Sequence, residues 1–172
     1  MDSYLSGIKD ELDTVKNNDE FYHRLDSLVS QLAKLCPNGG AIKDQKSADV
    51  MTSLVFLLRE GYDKEFNMVV RCEMKPAGGN VMNAYMSYMQ TGVGRVYSFF
   101  STKEKAKRAA GDQWAEMPVQ FVMNNLFNRK EASAFTFNGE YGGNPIIVPM
   151  MFLWPVFQGK MPKPVNFKEA KC

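Results

Sequence analysis

An α+β fold is predicted by the order in which two apolar patterns occur along the chain. Residues 1–62 carry apolar side chains at three- and four-residue steps, the period of an amphipathic helix. After Gly61 the pattern changes to β-branched and alternating runs separated by glycine-rich turns. Helices and strands then follow in blocks, which marks α+β and not a doubly wound sheet. At 172 residues the chain is long enough for one domain that hides roughly two-thirds of its unfolded surface. That domain is expected to span 1–158, helical over 1–62 and sheet-containing over 66–158. A flexible tail rich in lysine and proline is expected at 159–172.

The helical part reads as three helices. Leu5, Ile8, Leu12 and Val15 share one face of the first. Asn17 is placed to cap the second, with Glu20 completing a capping box, and its inward stripe is Phe21, Leu25, Leu28, Leu32 and Leu35. Ser47 is placed to cap the third, which turns Val50, Met51, Leu54, Val55 and Leu58 inward and stops at Gly61.

The sheet part reads as a mixed or antiparallel sheet of about five strands with packed helices. Met68–Met74 is the first strand, closed by the turn cluster Pro76–Asn80. Val81–Gln90 fits two patterns. As a strand it places Met82, Ala84, Met86 and Tyr88 on one face; as a helix it aligns Val81, Tyr85, Tyr88 and Met89. Flanking glycines and two tyrosines favour the strand. Thr91–Gly94 reads as a hairpin turn into Arg95–Phe100. Ser101-Thr102-Lys103-Glu104 opens a short helix, Lys103–Ala110, closed by Gly111. Pro118 suits the first turn of a helix carrying Val119, Val122, Met123 and Leu126. Strands at Ala134–Phe137 and Pro145–Pro149 follow, joined by a turn over Gly139–Asn144.

Several chemistries lack the residues they need. His23 is the single histidine, so one chain cannot supply a two- or three-histidine metal site. Cys36, Cys72 and Cys172 form no C-x-x-C pair and suggest neither a disulfide framework nor a zinc knuckle. There is no G-x-S-x-G elbow and no phosphate-binding glycine loop. No catalytic residue, cofactor or metal is therefore expected. The net charge of +2 argues against nucleic acid as a partner, and Lys103, Lys105, Lys107 and Arg108 read as the solvated face of a short helix. Charged residues interrupt the N-terminal apolar stretches, and Leu54–Leu58 and Pro149–Phe157 fall short of the roughly 20 residues of a membrane span. A cytoplasmic protein is expected.

What stands out is an apolar surplus. The sequence holds 12 methionines, six of them at positions 68, 74, 82, 86, 89 and 123. Methionine is adaptable and is over-used on surfaces that accept varied partners. Met150–Phe157 is almost wholly apolar, and Pro149 and Pro155 keep most of it out of a central strand. It must be covered by its own domain, a second copy or another protein. Folding back over the helical unit is the first expectation. In the interface alternative Met151, Phe152, Trp154 and Phe157 make the contact, with Trp154 and Phe157 as anchors. A second candidate surface is a sheet face bearing Met86, Tyr88, Tyr97 and Phe99.

One stretch has a family likeness. Gly94-Arg95-Val96-Tyr97-Ser98-Phe99-Phe100-Ser101-Thr102-Lys103-Glu104-Lys105-Ala106 is a strand ending in aromatics, then a Ser/Thr pair, then a helix with alanine. Glu116-Met117-Pro118 enters the next helix, and Phe137-Asn138 with Asn144-Pro145-Ile146-Ile147-Val148-Pro149 closes a hairpin. Over residues 68–150 this order resembles the N-terminal domain of the SseB family, the enhanced serine sensitivity proteins. The helical N-terminus and the insertion at 139–143 depart from that pattern. The resemblance implies a small α/β domain that modulates other proteins without established catalytic residues. The expected function is thus non-enzymatic protein interaction or regulation, through a protein partner or self-association. Two alternatives are a small-ligand binding protein using the aromatic, Met-rich sheet face, and a phage or mobile-element inhibitor of a host enzyme.

Overall fold

A computed structural model describes residues 15–37, 42–139 and 145–157. The first expected helix, apart from Val15, lies outside the described residues, as do most of the turn before the last strand and the expected tail. Within them the chain is α+β, with five helices and a seven-stranded mixed sheet.

Helix α1 (Asn18–Leu35) starts where expected. The Asn17 side chain accepts from Glu20 N–H, but the Glu20 carboxylate reaches Lys16 N–H at 2.8 Å, one residue beyond the cap. Phe21, Leu25, Val29 and Leu32 form its buried stripe, with Leu28 and Leu35 only half-buried beside it. Helix α2 (Gln45–Asp63) begins earlier than the sequence reading placed it. Asp44 is the cap, accepting from Ser47 N–H, and Ser47 is the third-position partner of a full capping box. Gly61 does not stop this helix. A Cβ there would lie 2.7 Å from the Phe21 ring and 3.2 Å from Val119, so glycine allows α2 to approach its neighbours closely.

The sheet comprises β1 (Asn67–Gly78), β2 (Val81–Met86), β3 (Tyr88–Thr91), β4 (Gly94–Phe100), β5 (Trp114–Pro118), β6 (Ala132–Phe137) and β7 (Ile146–Pro149). Its main order is β2-β1-β4-β6-β7, with β3 beside β4 and β5 beside β1. Among the described residues, only β4 and β6 pair in parallel. Their crossover carries α3 (Lys103–Ala110), β5 and α4 (Val119–Phe127). Two differences raise the strand number from five to seven. The stretch over 81–90 is broken at Ser87 into β2 and β3, and Trp114–Pro118 is a strand where a lead into a helix was expected. Five consecutive pairings with β1 hold β5 in place, and Pro118 ends it in extended backbone at the N-cap of α4.

Alternation sends Tyr97, Phe99, Phe135, Phe137, Ile146 and Val148 to one buried face. Phe99 packs on Phe135 at a ring separation of 5.0 Å. Helix α5 (Met150–Phe157) lies against α2, β6 and β7, burying Leu153 and Val156. Arg59 of α2 donates to the Val156 carbonyl at 2.9 Å and lies over the Phe157 ring. The apolar C-terminal segment therefore folds back onto the helical unit.

Candidate functional site

Two polar clusters join α1 to α3, and their geometry is that of clamps. Ser101, expected as a helix cap, is buried instead. Its N–H donates to Asn138 Oδ1 at 3.0 Å, its Oγ accepts from Asn138 Nδ2 at 2.8 Å, and its hydroxyl donates to Asp26. Lys105 Nζ meets the same Asp26 oxygen at 2.6 Å. A serine hydroxyl so engaged and so buried has no path to a substrate. The actual cap of α3 is Thr102, and the helix bounds agree with the expected ones. In the second cluster Tyr22 donates to Glu116 at 2.9 Å and Lys103 pairs with the same carboxylate at 2.9 Å. Burial, and then the Glu116 carboxylate beside it, push the Tyr22 hydroxyl far above its ordinary pKa. Burial likewise pushes the Cys72 thiol up to about 11, which leaves it protonated and inert. Among the described residues no group of three or more His, Cys, Asp or Glu is arranged to hold a metal ion.

The more exposed feature is a β-ribbon. Beyond Arg71, β1 leaves its pairing with β5 and β4 and forms a two-stranded arm with β2. The register sets Cys72 opposite Met86, Met74 opposite Ala84 and Pro76 opposite Met82. Opposed residues in an antiparallel pair share a face, so these six form one apolar face. The other face carries Glu73 opposite Tyr85 and Lys75 opposite Asn83, with Lys75 paired to Glu73 at 3.2 Å and lying over the Tyr85 ring. From Glu73 outward the first strand is exposed, and Met74, Val81, Met82 and Tyr85 are large apolar side chains in solvent. At the base of this arm a groove of about 610 Å³ opens beside α4, lined by Tyr85, Ser87, Tyr88, Phe121, Asn125 and Arg129 among others. Arg95 covers the Tyr88 ring at 4.4 Å. Among the described residues, buried Ser87 Oγ, Arg95 Nε and Tyr97 OH meet no hydrogen-bond partner.

The eight expected contact residues divide into three groups. Met86 and Tyr88 line the groove, half-buried and exposed respectively. Tyr97 and Phe99 do not belong to a contact surface: both are fully buried, because the face they share with Phe135 and Phe137 is covered. On α5, Met151 and Trp154 point outward at 63% and 46% exposure, while Phe152 and Phe157 are half-buried. Trp154 meets Phe127 edge-on at 5.3 Å and Phe157 meets it at a tilt at 5.2 Å, so the expected anchors are partly engaged within their own domain. The α5 patch adjoins β6 and β7, whereas the groove adjoins β2, at the other end of the strand order. Met74, named only among the methionines, and Pro76, Phe121, Asn125 and Arg129 were not placed at a site by the sequence. The first two were detectable, since Met74-x-Pro76 and Met82-x-Ala84-x-Met86 alternate on either side of a Gly-Gly turn.

An α+β domain bearing a projecting amphipathic ribbon is the class that fold and site define. No family model, curated protein or solved structure matches the chain. No helix of the described residues is long and apolar enough to cross a membrane.

Proposed function

We propose that this chain is a non-enzymatic, cytoplasmic protein-interaction or regulatory domain of the SseB-like type, and that the ribbon is its contact element. The observation that carries this reading is the apolar ribbon face, with Met74 and Met82 in solvent at 41% and 50% exposure. Thioether side chains on an arm of this kind adapt to a partner at small cost in fit. The two polar clusters support the reading from the other side, because their hydroxyls and carboxylates are engaged in holding α1 to α3. The test is capture from the source cell's lysate with wild type and Met82→Glu. A partner retained by wild type and lost by a folded Met82→Glu is expected. Turnover in a general substrate screen, or a partner indifferent to the substitution, would overturn the reading.

A second reading, binding of a small ligand, is favoured by the groove. Its volume lies in the range of ligand sites, its walls mix aromatic and cationic side chains, and Ser87 Oγ lies there without a partner. A thermal-shift screen tests it, since a ligand at a hundred times its Kd stabilises by about 2.7 kcal/mol.

A further inference from the structure

The two long edges of the ribbon are not equivalent. Ser87 N–H donates to the Arg71 carbonyl, and Cys72 N–H points the other way, to Gln113. In an antiparallel ladder this phase makes 71/87, 73/85 and 75/83 the pairs that exchange hydrogen bonds. The backbone groups of the even-numbered residues then point away from the ribbon on both strands. On the β1 side that edge is blunted: Cys72 N–H is engaged and Pro76 has none. On the β2 side Met82, Ala84 and Met86 all present N–H and C=O outward. This strand, Val-Met-Asn-Ala-Tyr-Met, has no charge and no proline to protect it, and β1 is its only strand partner among the described residues.

We propose that this edge binds a second copy of the chain, forming a two-fold dimer centred on Ala84. The proposal rests on the interaction reading above and names the partner. A two-fold axis normal to the ribbon sets Ala84 opposite Ala84 of the second copy and Met82 opposite its Met86. Each of the three even-numbered pairs is then a hydrogen-bonded pair, so every outward group on β2 is satisfied. The same operation keeps like faces together. Met74, Met82 and Met86 of both copies join in one apolar surface across four strands, and Asn83 of one copy lies opposite Tyr85 of the other on the polar surface. A register slipped by one residue would oppose the two faces and leave the outward groups unpaired. A second copy in this register meets phase, face and edge together, as an isologous contact requires.

The test combines solution mass with cross-linking in a Cys172→Ser background, Cys36 and Cys72 being buried. Wild type is expected at twice the 19.5 kDa chain mass by light scattering. Ala84→Pro, which removes an outward N–H and no ladder bond within the ribbon, and Met82→Glu are each expected to halve that mass. Ala84→Cys is expected to form a disulfide dimer on mild oxidation, since paired Cα atoms about 5.5 Å apart fall within bonding range. Val93→Cys, at a fully solvated loop, serves as the control for random collision. A monomer at all concentrations, with Ala84→Cys no faster to cross-link than Val93→Cys, overturns the dimer. So does a dimer that survives both Ala84→Pro and Met82→Glu. A monomeric wild type that still captures a lysate partner sensitive to Met82→Glu sinks the dimer and leaves the interaction reading standing. Monomer without any partner sinks both.

Discussion

The central strands and the ribbon use similar side chains in the same alternation and reach opposite ends. In β4 and β6, Tyr97, Phe99, Phe135 and Phe137 recur every second residue and are fully buried. In the ribbon, Met74 and Pro76 on one strand and Met82, Ala84 and Met86 on the other alternate in the same way, yet Met74 and Met82 stand in solvent. The difference is cover. The central face lies beneath helices, with α5 against β6 and β7, whereas the distal ribbon is exposed along both strands. Alternation states which residues share a face; only the tertiary arrangement states whether that face has a lid.

The largest expected effect lies on the covered side. Phe135 is enclosed by Phe99 and Phe137, so Phe135→Ala leaves a cavity among rings that cannot easily collapse. A loss of about 3–5 kcal/mol is expected in urea unfolding. A loss below about 1 kcal/mol would mean that the aromatic face is far looser than its burial implies.

Next comes Ser101→Ala, which removes the hub between Asp26 and Asn138. Asn138 sits at a backbone φ of 57° and is buried, so its amide cannot turn to solvent for a replacement partner. The cost is expected at about 1–3 kcal/mol, the penalty of a buried polar group left unmade. An unchanged urea midpoint would show that the cluster is solvated.

A third effect depends on pH. Burial alone would raise the Glu116 carboxyl, but the Lys103 ammonium and Tyr22 hydroxyl outweigh it and hold it below the ordinary value of 4.5. A folded pKa below the unfolded one gives stability that is present above the unfolded value and is lost as pH falls through the folded one. The gap in Tm between wild type and Glu116→Gln is therefore expected to narrow as pH drops below about 4.5. A gap constant from neutral to acid pH would detach Glu116 from that linkage.

How far the fold was legible follows the same division. The bounds of α3 are local, set by Thr102 and Gly111, and were readable; so were the start of α1 at Asn17 and the hairpin before β4. β5 was not, because Trp114-Ala-Glu-Met-Pro118 has no strong strand pattern of its own and is extended through its pairing with β1. The cap of α2 was misplaced by three residues, since Asp44 and Ser47 serve one motif from its two ends. Of the candidate surface, alternation alone pointed to Met86 and Tyr88, which line the groove. Tyr97 and Phe99 were wrongly added to them by the same rule, which is blind to cover.

The smallest expected effect is the one that most sharpens the comparison. Met82→Ser removes an apolar side chain of the same order of size as those in the core, from a strand with the same alternation. If the ribbon face is uncovered in the monomer, nothing is lost from the folded chain that the unfolded chain does not also lose. At concentrations where the chain is monomeric, the change in stability should then stay within about 0.5 kcal/mol. The measurement is a urea midpoint at several protein concentrations. A large loss that appears only at high concentration would show the face closed by a second copy, because stability drawn from association follows mass action. A large loss independent of concentration would show that the chain covers its own ribbon, and the contrast between the two regions would fail.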